Sequence, residues 1–253
     1  MKLSDFCAAM ERIAPQELAM EFDNPGLLVE PDHDEIKRVL VALDCSKAVA
    51  EEAAELGADL VLTHHPLFFH PVRQLRYSQP ETAAACVLLR HGIGLFSAHT
   101  NLDAAQGGVN DTLCELMSVV DTIPFDEGIG RAGMLREAMS LTEFALRAER
   151  LLQTSVRISG DPDALIRRVA VMGGSGGSSI QPAAQERADV LLTGEIKHSD
   201  ALDAQMLGLN LVIAGHYETE RVVLEPLIRR LQNECFDVQY NLSRADANPF
   251  VRL

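Results

Sequence analysis

The sequence predicts an α/β protein built as two related lobes. Three observations carry this expectation. Apolar β-branched runs alternate with longer Ala/Glu/Leu-rich segments of helical period; the second half of the chain repeats the first at a fixed spacing; and the apolar runs end in His, Asp and Glu. Alternating strand and helix signatures imply parallel strands joined by crossover helices.

Four runs define the strands of interest. Val39–Leu43 leads to Asp44, and Asp59–Thr63 leads to His64 and His65 before Pro66. Gly94–Ala98 leads to His99, Thr100, Asn101, Leu102 and Asp103, and Leu211–Gly215 leads to His216, Tyr217, Glu218, Thr219 and Glu220. Ligands of open α/β sheets bind beyond the carboxyl ends of the strands, so four such ends could line one site. Neighbouring side chains on a strand diverge. Where the strand breaks before Pro66, however, His64 and His65 can converge on neighbouring metal ions; the alternative is a turn carrying two solvated histidines.

The repeat organises the chain. Arg38–Val41 matches Arg168–Val171 and Ala58–Thr63 matches Ala188–Thr193, and both offsets, 168 − 38 and 188 − 58, are 130. The segment His99–Asp103 aligns with His216–Glu220 at 216 − 99, or 117, the difference being taken up by an extra Pro-rich loop around residues 66–80. Two lobes are expected, residues 1–125 and 126–253, with the boundary near Pro124–Gly130 and a C-terminal segment that can pack back on the first lobe. Where the first lobe has His64 and His65, the second has Gly194 and Glu195.

Composition sets the cellular context. With 253 residues, 47% of them hydrophobic, the chain can bury a real core. A formal charge of −15 with no basic stripe argues against nucleic acid as a partner. Cys7, Cys45, Cys86, Cys114 and Cys235 are scattered and form no CxxC pair, which reads as thiols in a reducing compartment. Asp5 interrupts what a signal peptide would need, and no apolar run reaches the roughly 18 residues of a membrane span. A cytoplasmic protein without membrane association is expected.

Histidines and carboxylates together supply the mixed nitrogen and oxygen ligands suited to Zn, Mn, Fe or Co, and carboxylates can bridge two ions. On a helix, positions i and i+4 share a face, so His216 and Glu220 could reach a common ion. Met172–Ser179 holds a Gly-rich run that could cradle a phosphate or simply form a tight turn. Asp44 could face the site or cap the helix from Ser46. His33, His70 and His91 read as solvated or loop residues.

The segments Phe22–Leu27, Thr63–Phe69, His99–Asp103, Thr193–His198 and Gly215–Glu220 resemble, in order and across nearly the whole chain, the motifs of the NIF-three-like family, whose bacterial members are labelled GTP cyclohydrolase 1 type 2 homologues. Phe22 stands where the family usually has Trp, and Glu195 where Asp is more usual. The resemblance implies a two-lobed α/β subunit with a dinuclear metal site in the cleft between the lobes, assembled into a toroidal homohexamer, in the short form of the family. By motif position the implied ligands of two divalent ions per subunit are His64, His65, Asp103, His216 and Glu220. The implied activity is hydrolysis of a nucleotide-like small molecule, the label pointing to opening of the guanine imidazole ring of GTP with release of formate. His99 or His198 would move protons; for His99, orienting Asp103 is an equal alternative. A protein that binds metal without turnover, as a carrier or ring scaffold, is the reading from a different class.

Overall fold

The computed structural model describes residues 1–251, which divide into two compact units: Met1–Ala105 with the segment from Leu224 onward, and Gln106–Val223. No helix among the described residues is long and apolar enough to cross a membrane. All five cysteines are free thiols, and burial pushes those of Cys45 and Cys114 up to about 12.

The first unit opens with α1 (Leu3–Ile13), whose buried Leu3, Phe6, Met10 and Ile13 recur at the spacing of one helical face. There follow β1 (Gly26–Val29), β2 (Arg38–Ala42), α2 (Lys47–Leu56), β3 (Leu60–Thr63), α3 (Pro80–His91), β4 (Gly94–Ser97) and α4 (Thr100–Ala104). The cap of α2 is Ser46, whose hydroxyl accepts the Val49 N–H at 3.2 Å, so Asp44 is released for another task. Helix α3 starts on Pro80, which suits a first-turn position because no N–H partner is needed there. Strands β2, β3 and β4 are parallel, and β1 closes the edge antiparallel to β4. Every residue of β3 and β4 is buried, which explains their unbroken apolar runs. Leu40, Val61 and Leu95 share a core with Val49 and Ala53 of α2 and with Ala84 and Leu88 of α3.

The second unit contains α5 (Val109–Met117), β5 (Val119–Phe125), β6 (Gly130–Ser140), α6 (Leu141–Leu152), β7 (Arg157–Ser159), β8 (Leu165–Ser175), α7 (Ile180–Gln185), β9 (Val190–Glu195), α8 (His198–Met206), β10 (Asn210–Ile213) and α9 (His216–Glu220). Its sheet has the order β5-β6-β8-β9-β10-β7, with β8, β9 and β10 parallel. Ser140 and Glu143 cap α6 reciprocally.

The chain then runs through α10 (Leu224–Glu234) to β11 (Gln239–Leu242), which pairs parallel to β2 and completes the first sheet as β1-β4-β3-β2-β11. Beyond it, Glu52 accepts hydrogen bonds from the Ser243 hydroxyl at 2.5 Å and from the Arg244 and Ala245 N–H groups at 3.0 Å. The expected boundary at Pro124–Gly130 differs from this arrangement. That stretch is the turn of the β5–β6 hairpin, and β6 is locked to β8. Proline and glycine mark a turn here, not a linker, so the units part between Ala105 and Gln106.

The repeat is visible in the ladders. Val39 pairs with Leu60 as Val169 pairs with Val190, keeping the 130-residue offset in both strands. The third strand is shifted from the sequence alignment by one residue. Thr63 lies opposite Ser97 and Thr193 opposite Ile213, and the Ala98 and Ala214 N–H groups donate to the Thr63 and Thr193 carbonyls at 2.9 and 2.8 Å. The offset is therefore 213 − 97, or 116, and His99 corresponds to Gly215, each preceding a five-residue helix. The two His-x-x-x-acid motifs share a scaffold but sit one residue out of step on it.

Candidate metal centre

In the first unit the end of β3 turns His64 and His65 toward each other. Their backbone N–H groups still follow β2, donating to the Ala42 and Leu43 carbonyls at 3.3 and 3.0 Å. The Thr63 hydroxyl, however, donates to the His65 carbonyl at 2.8 Å and folds the chain over just past the strand. This local turn defeats the usual divergence of adjacent side chains. The His64 and His65 rings lie 5.0 Å apart between centroids, and His99, at the end of β4, stands 5.2 and 5.5 Å from them. One ring nitrogen from each of His64, His65 and His99 falls within 4.8 Å of the others, a group that could hold a metal ion.

Each of the three rings has its Nδ1 anchored on an oxygen. His64 Nδ1 lies 2.9 Å from the Ala98 carbonyl, His65 Nδ1 2.9 Å from Asp44 Oδ1, and His99 Nδ1 2.8 Å from Asp23 Oδ1. A carbonyl or carboxylate can only accept, so in the neutral rings the proton sits on Nδ1 and the lone pair on Nε2. This is the arrangement that orients metal-ligating imidazoles generally. Asp103, on α4, brings a carboxylate oxygen to 3.6 Å from His64 Nε2. A buried imidazole nitrogen next to a carboxylate fits a divalent cation, so the donor set of this unit suits a first-row metal.

Asp23 is anchored through both carboxylate oxygens. Its side chain is fully buried, and the Thr100 N–H and hydroxyl donate to Oδ2 at 3.0 and 2.5 Å. Burial would raise its carboxyl, but the hydrogen bonds from His99 and Thr100 outweigh it and hold the group down to about 2.

In the second unit His216 opens α9. Its Nε2 lies 3.0 Å from Glu220 Oε2 one turn on, and its Nδ1 lies 3.2 Å from Glu195 Oε1. Glu220 is buried. Glu195 occupies the repeat position of His65, and Gly194 that of His64. A glycine is required at 194, because a Cβ would come within 2.6 Å of the Gly174 carbonyl and 2.7 Å of His216 Cα. Gly174 adopts φ +63 and a Cβ there would overlap the Glu220 carboxylate.

These contacts account for the Gly-rich run, which the sequence leaves open between phosphate cradle and turn. The N–H groups of Gly173, Gly174 and Gly176 donate to Asn110 Oδ1 at 2.8 Å, Thr219 Oγ1 at 3.0 Å and the Glu195 carbonyl at 3.1 Å. Three donors are thus committed within the protein, and the run serves close packing of α9 on β8 and β9. His198 is exposed at the first residue of α8. The residue that sequence reasoning left without a role is Asp23, although it lies inside the Phe22–Leu27 motif; its pairing with His99 spans 76 residues and no local pattern signals it.

Comparison with known proteins agrees with this architecture. The profile of the family described as Duf34/NIF3 (NGG1p interacting factor 3) matches residues 1–249. A GTP cyclohydrolase 1 type 2 homolog of Clostridium perfringens is 35% identical, with 99% of each chain covered, and one of Lactococcus lactis is also 35% identical over 99% of each. Among solved structures, a Staphylococcus aureus hypothetical protein superposes with a TM-score of 0.91 at 29% identity, covering 100% of this chain and 99% of its own. Reduced HcgD from Methanocaldococcus jannaschii superposes with a TM-score of 0.84 at 35% identity, covering 96% and 97%. With a match over almost its whole length and relatives above 30% identity, the chain belongs to the Duf34/NIF3 family.

Proposed function

We propose that this protein is a dinuclear-metal-dependent hydrolase acting on a nucleotide or related purine compound. The observation that carries the reading is the convergence of three imidazoles whose Nδ1 atoms are all tied to oxygen acceptors, which puts the lone pair of each neutral ring on Nε2. His64, His65 and Asp103 from the first unit, with His216 and Glu220 from the second, are the proposed ligands of two divalent ions per subunit, chosen from Zn, Mn, Fe or Co. When bound, such ions polarise a substrate and make a water reactive near neutral pH.

The protein's own groups divide the remaining work. His64 and His65 hold their rings against the Ala98 carbonyl and Asp44, so ligand geometry does not depend on exposed rotamers. His99 is the proposed proton carrier, since its ring centroid lies 5.2 and 5.5 Å from those of His64 and His65 and its Nδ1 is held by Asp23. His198 is the alternative carrier. A small-molecule substrate suits the charge of −15, which disfavours a polyanionic nucleic acid. Ring opening of GTP with formate release is the first reaction to assay, on the naming of the relatives. A toroidal homohexamer is the proposed assembly, to be checked by light scattering.

The test is metal quantification on purified protein followed by assay against GTP and a panel of modified nucleotides. Turnover that His64→Ala abolishes while the oligomer survives supports the hydrolase. Absence of turnover at full occupancy with each metal, together with transfer of the ion to an acceptor protein, replaces it with a metal carrier.

A further inference from the structure

The Phe22–Leu27 segment has no part in the proposed ligand set, yet it reaches the histidine cluster through Asp23. The Asp23 side chain is fully buried and its Oδ1 lies 2.8 Å from His99 Nδ1. Its other oxygen takes both donors of Thr100, whose own hydroxyl accepts the Met20 N–H at 2.9 Å. The next residue, Asn24, donates from its side chain to the Phe68 carbonyl at 2.8 Å, and Phe69 packs edge-on against the His99 ring with centroids 5.5 Å apart. One short segment therefore fixes the His99 ring through one nitrogen and secures the loop that flanks it.

We infer that Asp23 is the positioning residue of the site: it holds His99 in the tautomer protonated at Nδ1 and aims its Nε2 lone pair at the His64 and His65 rings. This rests on the reading of that cluster as the functional centre. The hydrogen-bonding pattern makes the assignment specific. Asp23 Oδ1 accepts from His99 and from the Asn24 N–H at 2.7 Å, so it receives a proton from the ring and cannot give one. A free imidazole has no such preference imposed on it, and a ring with the opposite tautomer would present an N–H, not a lone pair, to the other histidines.

The substitution Asp23→Asn reverses the arrangement. Thr100 places two donors on Oδ2 against the single Asn24 donor on Oδ1, so the amide oxygen takes the Thr100 side and its NH2 faces His99 Nδ1. Nitrogen-15 spectra of full-length protein with labelled histidines read the tautomer directly, in the zinc-loaded form and after chelation. The wild type is expected to show His99 protonated at Nδ1, and Asp23→Asn to lose that signal in favour of Nε2–H while the His64 and His65 signals stay. A wild-type His99 protonated at Nε2 overturns the assignment, and that spectrum decides even if the variant does not fold. An unchanged His99 tautomer in folded Asp23→Asn overturns it equally. Because neither readout involves turnover, failure of the hydrolase reading appears separately, as an intact tautomer in a protein without activity.

Discussion

Asp59 and Asp189 make the same contacts 130 residues apart. Asp59 Oδ2 accepts the N–H groups of Lys37 and Arg38, both at 2.7 Å, and Asp189 Oδ2 accepts those of Arg167 and Arg168 at 2.8 and 2.7 Å. Each carboxylate pins the start of one strand to the start of its parallel neighbour, a position where the ladder alone leaves donors unmet. Asp59→Ala and Asp189→Ala are each expected to cost about 1–3 kcal/mol, read as a lower urea midpoint. A loss below a few tenths in both would show that water replaces the carboxylate.

Asp59 also takes part in a pH-dependent contact. His33 lies 2.8 Å from Asp32 and 3.0 Å from Asp59, and these two carboxylates raise its pKa above the ordinary imidazole value. A raised histidine stabilises the fold while it is protonated: the contribution is complete below the unfolded-state pKa and disappears as pH rises through the folded-state value. The gap in stability between wild type and His33→Gln should therefore be widest near about pH 5 and close by about pH 9. A gap that stays constant with pH would remove the ion pairs from the account.

The repeat makes much of this legible in the sequence. Buried parallel strands write themselves as unbroken apolar runs, so β2, β3, β4, β9 and β10 can be read directly, and the polar residues at their ends follow. The edge strands are different. In β11 no residue is fully buried and β5 is mostly exposed, so neither carries a hydrophobic signature, and their pairing is set by distant partners. The one-residue slip between His99 and His216 was equally hidden, because similar letters align by chemistry while the ladder aligns by hydrogen bonds.

That slip gives Gly194 a testable burden. In the first unit the equivalent residue is His64, with α4 placed to admit it; in the second, His216 Cα and the Gly174 carbonyl occupy the space where a Cβ would stand. Gly194→Ala meets backbone on two sides and cannot be relieved by a rotamer change. It is expected to displace α9, at a cost of about 1–3 kcal/mol. Metal binding should weaken with it, whereas Gly208→Ala, which has nothing within 4 Å of its Cβ, supplies the control for a strained glycine without a clash. Equal metal affinity in Gly194→Ala and wild type would exclude His216 and Glu220 from the ligand set.

Asp44 separates orientation from ligation. Its carboxylate accepts from His65 Nδ1 at 2.9 Å, and Ser46, not Asp44, caps α2, so removing it leaves the helix start intact. The Asp44 side chain is 58% exposed, and the fold should lose little without it. What changes is the freedom of the His65 ring: without the acceptor, either tautomer is open, and the Nε2 lone pair is presented only part of the time. Partners of this kind typically contribute 10–100-fold in metal affinity. Asp44→Ala should therefore lose roughly that factor in competition with a chromophoric chelator while its urea midpoint stays with the wild type. An unchanged affinity would mean that the turn after Thr63, which sets the His65 backbone through the Thr63 hydroxyl, already fixes the ring, and that the carboxylate is a bystander.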